Sequence, residues 1–343
     1  MSVKSAIKNV VSNKVASSTV RAISERILGR HTTILMLHRF QDFSSKIYAD
    51  HDAESLRVLL EEIRRLRIPV VSVDQIFQAK RGLADIPNNA VAFTMDDGFL
   101  DQLEVGAELF IKYDCPAVIF GITDFIDTDY WLIDSKLEYT CKSTQIDKLH
   151  FTVDGISKTL DFTDEDTRYL AFEWLVDRIR SFPLHVALSH VERFAALSEV
   201  DLPEKPPSQY RSISWAEARK FETDQITIGA HTMTHPILSA ENDVRAKQEI
   251  EGSILRVQQE LNHPSKVFCY PTGRYQDFLE RDQKIVAATE CIGAVNAEPG
   301  YINTQSNQDG LMYNGNRFSL PDGVNDLRHY ILKSQYFFEK LSL

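Results

Sequence analysis

The stretch at residues 91–98 constrains the fold more than any other part of the chain. It opens with apolar, β-favouring residues, which predict the end of a buried strand, and then places Asp96, Asp97 and Gly98 in direct succession. In an α/β protein, side chains can converge on a ligand at the carboxyl ends of parallel strands without disturbing the core. Asp-Asp-Gly is also an ordinary turn sequence, so this stretch alone leaves a structural and a functional interpretation open.

A second apolar run, residues 226–230, is followed by two histidines. His231 and His235 are four positions apart, and in a helical turn this spacing brings both imidazoles to one face, as a divalent metal requires. Pro236 would end a helix, so we expect a single turn in a loop between a strand and a helix. Polar clusters that directly follow two apolar strands indicate a shared site.

Asp97, His231 and His235 together form a set of two histidines and one carboxylate. Such a set suits Zn²⁺ and leaves coordination positions open for water and substrate, but it also suits the iron of oxygenases, so the ligand types alone do not fix the reaction. Asp96 lies beside the predicted metal and is the expected general base for the attacking water.

Residues 94–98, Thr-Met-Asp-Asp-Gly, and residues 231–235, His-Thr-Met-Thr-His, resemble the first two motifs of the polysaccharide deacetylases. These are the NodB-homology enzymes of carbohydrate esterase family four. Their usual first motif reads Thr-Phe-Asp-Asp-Gly, so Met95 is a departure at an apolar position. Residues 213–217 and 268–273 are similar to further segments of the family, and the second of these is closest to the Tyr-Pro-x-Gly branch, which includes the biofilm poly-N-acetylglucosamine deacetylases.

The alternation of elements agrees with the fold that this resemblance implies. Apolar runs at residues 32–37, 69–73 and 117–121 predict buried strands, and amphipathic patterns at 53–67 and 74–81 predict helices between them. Such alternation indicates βαβ units and parallel strands. The resemblance implies an α/β fold, a distorted and incomplete (β/α) barrel of about seven parallel strands with the site at their carboxyl ends.

The resemblance also assigns roles to residues outside the two motifs. His38 follows the first predicted strand in a segment similar to the Tyr-His-Arg of the biofilm branch, whose histidine is the general acid that protonates the leaving amine. His329 is the alternative for this role. The backbone N–H of Thr272 is the expected donor to the oxyanion.

Further residues are expected to contact substrate or to hold the catalytic base. Family members often carry an arginine two residues before the proline of the third segment, but here that position is Cys269. Arg317 is a candidate for holding the base by its position, and we also place it among the expected substrate contacts. The other expected contacts are Tyr270, Pro271 and Trp131; the alternative for Trp131 is a core residue at a helix start.

The chain divides into three predicted segments, the second of which contains an insertion. A deacetylase-like domain is expected at residues 31–330, with a helical insertion at about 130–210 and a helical tail at 331–343. Residues 1–30 carry six lysines and arginines against one acid and form a basic amphipathic helical segment without a long apolar run. Two placements stay open for this segment: on the anionic inner face of a membrane, or packed against the protein body or a partner.

Composition narrows the class of protein. With 43% hydrophobic and 25% charged residues, the chain of 343 residues is typical of a soluble globular protein. A net charge of −11 argues against a general nucleic-acid binder, which needs a basic face. The four cysteines are not closely paired, which predicts reduced thiols and a cytoplasmic location. The oligomeric state stays open.

The leading hypothesis is a metal-dependent N-deacetylase. Its expected substrate is the acetamide of an N-acetylated amino sugar in a saccharide used for surface polysaccharide or glycan biosynthesis. The expected cofactor is a divalent metal, first Zn²⁺, with Ni²⁺, Co²⁺, Mn²⁺ or Fe²⁺ as alternatives. Two other functions stay open: hydrolysis of another non-peptide C–N bond, as by a deformylase or cyclic amidase, and sugar binding by an inactive module.

Overall fold

A curled sheet of seven parallel strands forms the centre of the computed structural model, which describes residues 31–40, 51–305 and 310–332. In spatial order the strands are β10 (Phe318–Ser319), β1 (His31–Leu37), β2 (Val91–Asp97), β3 (Ala117–Gly121), β6 (Ile226–Ala230), β7 (Val267–Cys269) and β8 (Gly293–Val295). Each neighbouring pair is parallel, and the short β9 (Ile302–Asn303) pairs antiparallel with β1. The predicted incomplete (β/α) barrel is therefore confirmed.

The two edges of the sheet approach each other without forming a regular ladder. An isolated bridge joins Val295 of β8 to Gly315, shortly before β10 begins. The backbone N–H of Arg317 also donates to the carbonyl of Glu298, at 3.0 Å. The chain between β8 and β10 thus closes most of the gap and brings residue 317 to the carboxyl ends of the strands.

Helices cover the sheet and alternate with its strands along the chain. They are α1 (Ala53–Arg65), α2 (Val73–Lys80), α3 (Glu108–Lys112), α4 (Thr123–Asp127), α8 (Trp215–Phe221), α9 (Asp243–Glu260), α10 (Glu280–Ala287) and α11 (Val324–Ile331). A π-helical turn, Gln102–Ala107, leads into α3. Side chains of Asp52, Ser72, Ser214 and Asn242 accept backbone N–H bonds at the starts of α1, α2, α8 and α9, each worth about 1 kcal/mol.

The insertion between β3 and β6 contains strands as well as helices. Its elements are α5 (Ile133–Ser143), β4 (Lys148–Val153), β5 (Ile156–Asp161), α6 (Glu165–Ile179) and α7 (Leu184–Leu197). The predicted helical insertion thus has three helices, to which the structure adds a two-stranded antiparallel hairpin. Asp154 and Gly155 have φ of 49° and 73° and form the tight turn of a β-hairpin, for which Asp-Gly is a favoured sequence.

The insertion has a hydrophobic core of its own. Phe194 of α7 packs on Phe151 of β4 and on Phe162, with ring centroids 5.3 and 6.3 Å apart. These side chains belong to a buried cluster that is separate from those of the barrel. The insertion is therefore packed around its own core and can form a rigid surface beside the barrel.

Residues 69–73 do not form the predicted strand. Val70 makes only an isolated bridge to Val91, and Ser72 caps α2, which begins at Val73. The capping interaction outweighs the strand propensity of the valines.

The predicted basic helix at residues 1–30 lies outside the described residues, as does nearly all of the predicted tail. Among the helices that the structure describes, none has both the length and the hydropathy to span a membrane.

Candidate active site and metal centre

The two polar clusters of the sequence meet at the carboxyl edge of the sheet. Strand β2 ends in Asp96 and Asp97, and His231 follows β6; β3 lies between these two strands. At the register of Asp97 and Ala230, β3 carries Gly121. A Cβ at this glycine would lie 2.7 Å from Cδ1 of Ile126, so glycine allows α4 to pack closely against this end of β3.

Asp97, His231 and His235 present their ligand atoms to one point. Oδ1 of Asp97 lies 3.6 Å from Nε2 of His231 and 3.5 Å from Nε2 of His235. One ligand atom from each residue lies within 4.8 Å of the others. Two imidazole nitrogens and one carboxylate oxygen suit a divalent cation and leave positions for water and substrate. These residues therefore fit a catalytic metal.

The backbone at two of these residues adopts an unusual conformation. Asp97 has φ of 85° and His235 has φ of 60°, in the left-handed region that side chains other than glycine rarely occupy. Such conformations cost of order 1–3 kcal/mol and persist only where surrounding contacts impose them. Here they turn both side chains toward the shared point.

Hydrogen bonding and burial prepare the imidazoles as ligands. Nδ1–H of His231 donates to the carbonyl of Cys269, at 2.8 Å, so Nε2 carries the lone pair that faces Asp97. His231 is 1% exposed. Burial lowers the pKa of both His231 and His235, which keeps the rings neutral and able to bind a cation.

Glu249 of α9 holds the loop that carries the histidines. Its carboxylate is fully buried and accepts hydrogen bonds from the backbone N–H groups of Met233 and Thr234, at 2.8 and 2.9 Å, and from Oγ1 of Thr234, at 2.6 Å. Arg245, one turn earlier on the helix, forms an ion pair with it. These contacts fix the loop between the two histidines.

Asp96 is bound by Arg317 rather than by the ligand set. Nη1 and Nη2 of Arg317 donate to Oδ1 and Oδ2 of Asp96, each at 2.7 Å, and Nη1 also donates to Oγ1 of Thr94. Burial by itself would raise the pKa of Asp96, but the guanidinium outweighs it and holds the pKa below its usual value. Asp96 also clusters with His231 and Cys269, but both of its oxygens are already engaged.

A cavity of about 290 Å³ lies over these residues. The base Asp96, the three candidate metal ligands, His38 and Thr272 all line it; His38 is half-buried. Within the described part of the chain, the backbone N–H of Thr272 meets no acceptor. The alternative acid, His329, is buried on α11 and is absent from the cavity wall. The structure thus brings together the residues predicted as ligands, base, acid and oxyanion donor.

The residues predicted as substrate contacts do not line this cavity. Tyr270 is fully buried, donates to the carbonyl of Tyr313 at 3.0 Å and stacks on Phe278. Pro271 is buried beside it. Trp131 is 3% exposed and packs on aromatic neighbours of the insertion, and Arg317 is engaged with Asp96. Aromatic residues occur both in hydrophobic cores and at sugar-binding surfaces, so the sequence alone does not separate the two roles. Their burial in the structure indicates a core role.

The insertion forms a wall of the cavity through residues that no sequence motif marks. The lining residues from this segment include Tyr130, Leu132, Asp134, Arg180, Phe182 and Leu184. Arg180 forms an ion pair with Asp134, and the N–H of Leu184 donates to Glu241 of the barrel at 2.7 Å. No motif marks these residues, because their place depends on how the insertion docks.

An incomplete (β/α) barrel with a candidate metal-ligand cluster beside an arginine-bound aspartate is an arrangement suited to a hydrolase of C–N bonds other than peptide bonds. The family model for polysaccharide deacetylase matches residues 84–288, which is more than half of the chain. The chain belongs to the polysaccharide deacetylase family, whose members act on N-acetylated saccharides.

Solved structures show the same fold. A Streptococcus pyogenes deacetylase, PplD, determined in complex with acetate, has a TM-score of 0.56 and 14% identity over 89% of this chain and 97% of its own. IcaB from Ammonifex degensii has a TM-score of 0.57 and 12% identity over 89% and 98%. A de-N-acetylase from Aggregatibacter actinomycetemcomitans has a TM-score of 0.54 and 13% identity over 85% and 95%. No curated protein matches the chain.

Proposed function

We propose that this chain is a metal-dependent N-deacetylase that hydrolyses the acetamide of an N-acetylated amino sugar. One observation carries the proposal: the ligand atoms of Asp97, His231 and His235 lie within 4.8 Å of one another, in the same cavity as an aspartate fixed by Arg317. Membership of the polysaccharide deacetylase family supports the substrate class.

Asp97, His231 and His235 would hold the cation, and Zn²⁺ is the first candidate for this donor set. When bound, the metal supplies a Lewis acid that polarises the acetyl carbonyl and makes the attacking water more acidic.

The remaining chemistry belongs to side chains of the cavity. Asp96 accepts a proton from the attacking water as the water oxygen bonds to the acetyl carbon. The backbone N–H of Thr272 donates to the oxyanion that forms. His38 donates a proton to the nitrogen as the C–N bond breaks, so that the amine leaves and acetate remains. Arg317 keeps Asp96 ionised and oriented.

We also propose that the protein works in the cytoplasm on a saccharide intended for surface polysaccharide or glycan biosynthesis. All four cysteines are buried and free, which suits a reducing compartment. Cell fractionation tests the location: the proposal expects the native protein in the cytoplasmic fraction or on the inner membrane face, and recovery outside the inner membrane would contradict it.

The test of the function is acetate release from N-acetylglucosamine oligomers by metal-stripped protein before and after addition of Zn²⁺. We expect turnover only with metal, and none from His235→Ala protein. His263→Ala serves as the matched control, because His263 is exposed and remote from the cavity lining.

Two results would contradict the proposal. Release of formate or opening of a cyclic amide, with no acetate, would identify a hydrolase of another C–N bond. Oligomer binding without turnover of any acetylated saccharide, with metal bound, would identify a sugar-binding module.

A further inference from the structure

A second groove lies between the insertion and the barrel. One wall is a single face of α6, formed by Tyr169, Phe172, Glu173, Val176 and Asp177. Their spacing of three and four residues places them on one side of the helix, facing the barrel across open space. The groove has a volume of about 640 Å³, larger than the catalytic cavity.

The opposite wall is formed by the loops that follow β6 and β7. These loops also carry His235 and Thr272, so the groove begins at the catalytic residues. Arg180, Ile237, Thr272 and Arg274 line both the groove and the catalytic cavity. The two spaces therefore adjoin at these residues, and a molecule held over the metal ligands would extend toward the groove.

The groove presents the chemistry that binds a neutral saccharide. The ring of Tyr169 offers an apolar face, while Glu173, Gln276 and Ser239 offer donors and acceptors for hydroxyl groups. The Tyr169 hydroxyl donates to Glu173 at 2.6 Å, which fixes the ring on the groove wall. Charged side chains in the groove lining are three acids and two arginines, one of which, Arg180, is paired with Asp134; their balance does not favour an anionic ligand. The acids are Glu173, Asp177 and Asp277, and the other arginine is Arg274.

We propose that this groove binds the sugar units next to the one whose acetamide reacts, and that Tyr169 is a contact for them. The ligand is a neutral chain of N-acetylated sugars that runs from the catalytic cavity along α6. This inference rests on the proposed deacetylase function and specifies its substrate as an oligosaccharide.

The test compares kcat/KM for the monomer and the pentamer of N-acetylglucosamine. We expect the wild-type protein to prefer the pentamer. Tyr169→Ala should lower the preference for the pentamer over the monomer about tenfold, because one aromatic contact of about 1.4 kcal/mol is lost. Tyr169→Phe keeps the ring and should retain most of the preference. Leu170→Ala is the matched control: Leu170 is 56% exposed, lies on the same helix and does not line the groove, so the wild-type preference should persist.

Binding to Asp96→Asn protein, measured by calorimetry, gives a readout that does not depend on turnover. The inference predicts tighter binding of the pentamer than of the monomer, and loss of this difference when Tyr169→Ala is added. Equal affinity for both saccharides, or an equal effect of Tyr169→Ala on both, would overturn the groove assignment. If no acetate is released from any oligomer, the deacetylase proposal fails, and the binding result alone decides whether the groove holds saccharide.

Discussion

Arg317 holds Asp96 through two parallel hydrogen bonds of 2.7 Å, across 221 positions of sequence. Both side chains are buried, and Nε of Arg317 donates to the carbonyl of Asn296 at 2.6 Å, which fixes the guanidinium plane. Sγ of Cys269 lies 3.2 Å from Nη2. Cys269 of β7 therefore lies beside the guanidinium, which reaches Asp96 from the approach to β10. Arg317 keeps the carboxylate of Asp96 ionised and fixed in position, so that it can accept the proton of the attacking water.

Arg317→Lys should lower kcat by about 100-fold while the metal content stays that of the wild type. A lysine keeps the charge but cannot form the planar pair of bonds, so the carboxylate of Asp96 loses its orientation. Single-turnover acetate release and metal analysis would measure this. Arg219→Lys, at an exposed ion pair with Glu260, is the control and should leave kcat unaffected. Normal turnover of Arg317→Lys protein would show that the pairing is not needed for catalysis.

Asp96→Asn and His235→Ala should separate catalysis from metal binding. Asparagine is close in shape but cannot accept the proton of the water, so we expect kcat to fall by about 10²–10⁴-fold with Zn²⁺ still bound. His235→Ala removes a ligand and should yield protein without stoichiometric Zn²⁺. Metal analysis after dialysis distinguishes the two. Loss of metal from Asp96→Asn protein would instead make Asp96 a ligand.

Glu249 should act as a positioning residue for the histidine loop. Glu249→Gln preserves the shape but removes the negative charge that pairs with Arg245 and strengthens the hydrogen bonds from the N–H groups of Met233 and Thr234, so the loop between the two histidines loosens. We expect Zn²⁺ affinity to weaken by about 10–100-fold, as for other residues that orient metal ligands. Glu251→Gln, on the same helix with an exposed ion pair, is the control. Competition with a chromophoric chelator would measure the affinities, and equal values for both variants would contradict the role.

The parts of the site that follow strands could be predicted, and the parts that depend on docking could not. Asp97 and His231 lie at the ends of apolar runs, and the carboxyl ends of parallel strands meet at one edge, so local pattern and sheet geometry suffice to bring them together. Glu249 reads in sequence as one of many acidic residues on an amphipathic helix. Only the packing of α9 reveals that it is fully buried against the loop.

The insertion shows the same limit on a larger scale. Its helices follow from periodicity, but the hairpin turn at Asp154 and Gly155 lies in a polar stretch whose outer strand is largely exposed, so the strand pattern is weak. The placement of Arg180 beside the catalytic cavity depends on an inter-segment contact, Leu184 to Glu241, that no local rule predicts. Trp131 shows a further limit, because an aromatic residue suits a hydrophobic core as well as a sugar-binding surface. Only its burial in the structure separates the two roles.

Asp127 should contribute stability that depends on pH. Its carboxylate accepts two hydrogen bonds from Arg256 and one from Trp215, at 2.6–2.7 Å, and so joins α4, α8 and α9. The hydrogen bonds from Arg256 are the largest cause of a pKa below the ordinary value of 3.8. A carboxyl with a lowered pKa stabilises the fold above its unfolded-state pKa and loses this contribution as pH falls through the folded-state pKa.

Asp127→Asn should therefore reduce the free energy of unfolding by about 1–2 kcal/mol at neutral pH, and the difference from the wild type should shrink as the pH is lowered below about 4. Urea unfolding at neutral and acidic pH would measure it. The matched control is Asp129→Asn, two residues along the chain, because its ion pair with Lys205 is exposed and should be worth less than about 1 kcal/mol at any pH. A difference that stays constant with pH would mean that Asp127 acts through packing, since only its ionised form can form the pair with Arg256.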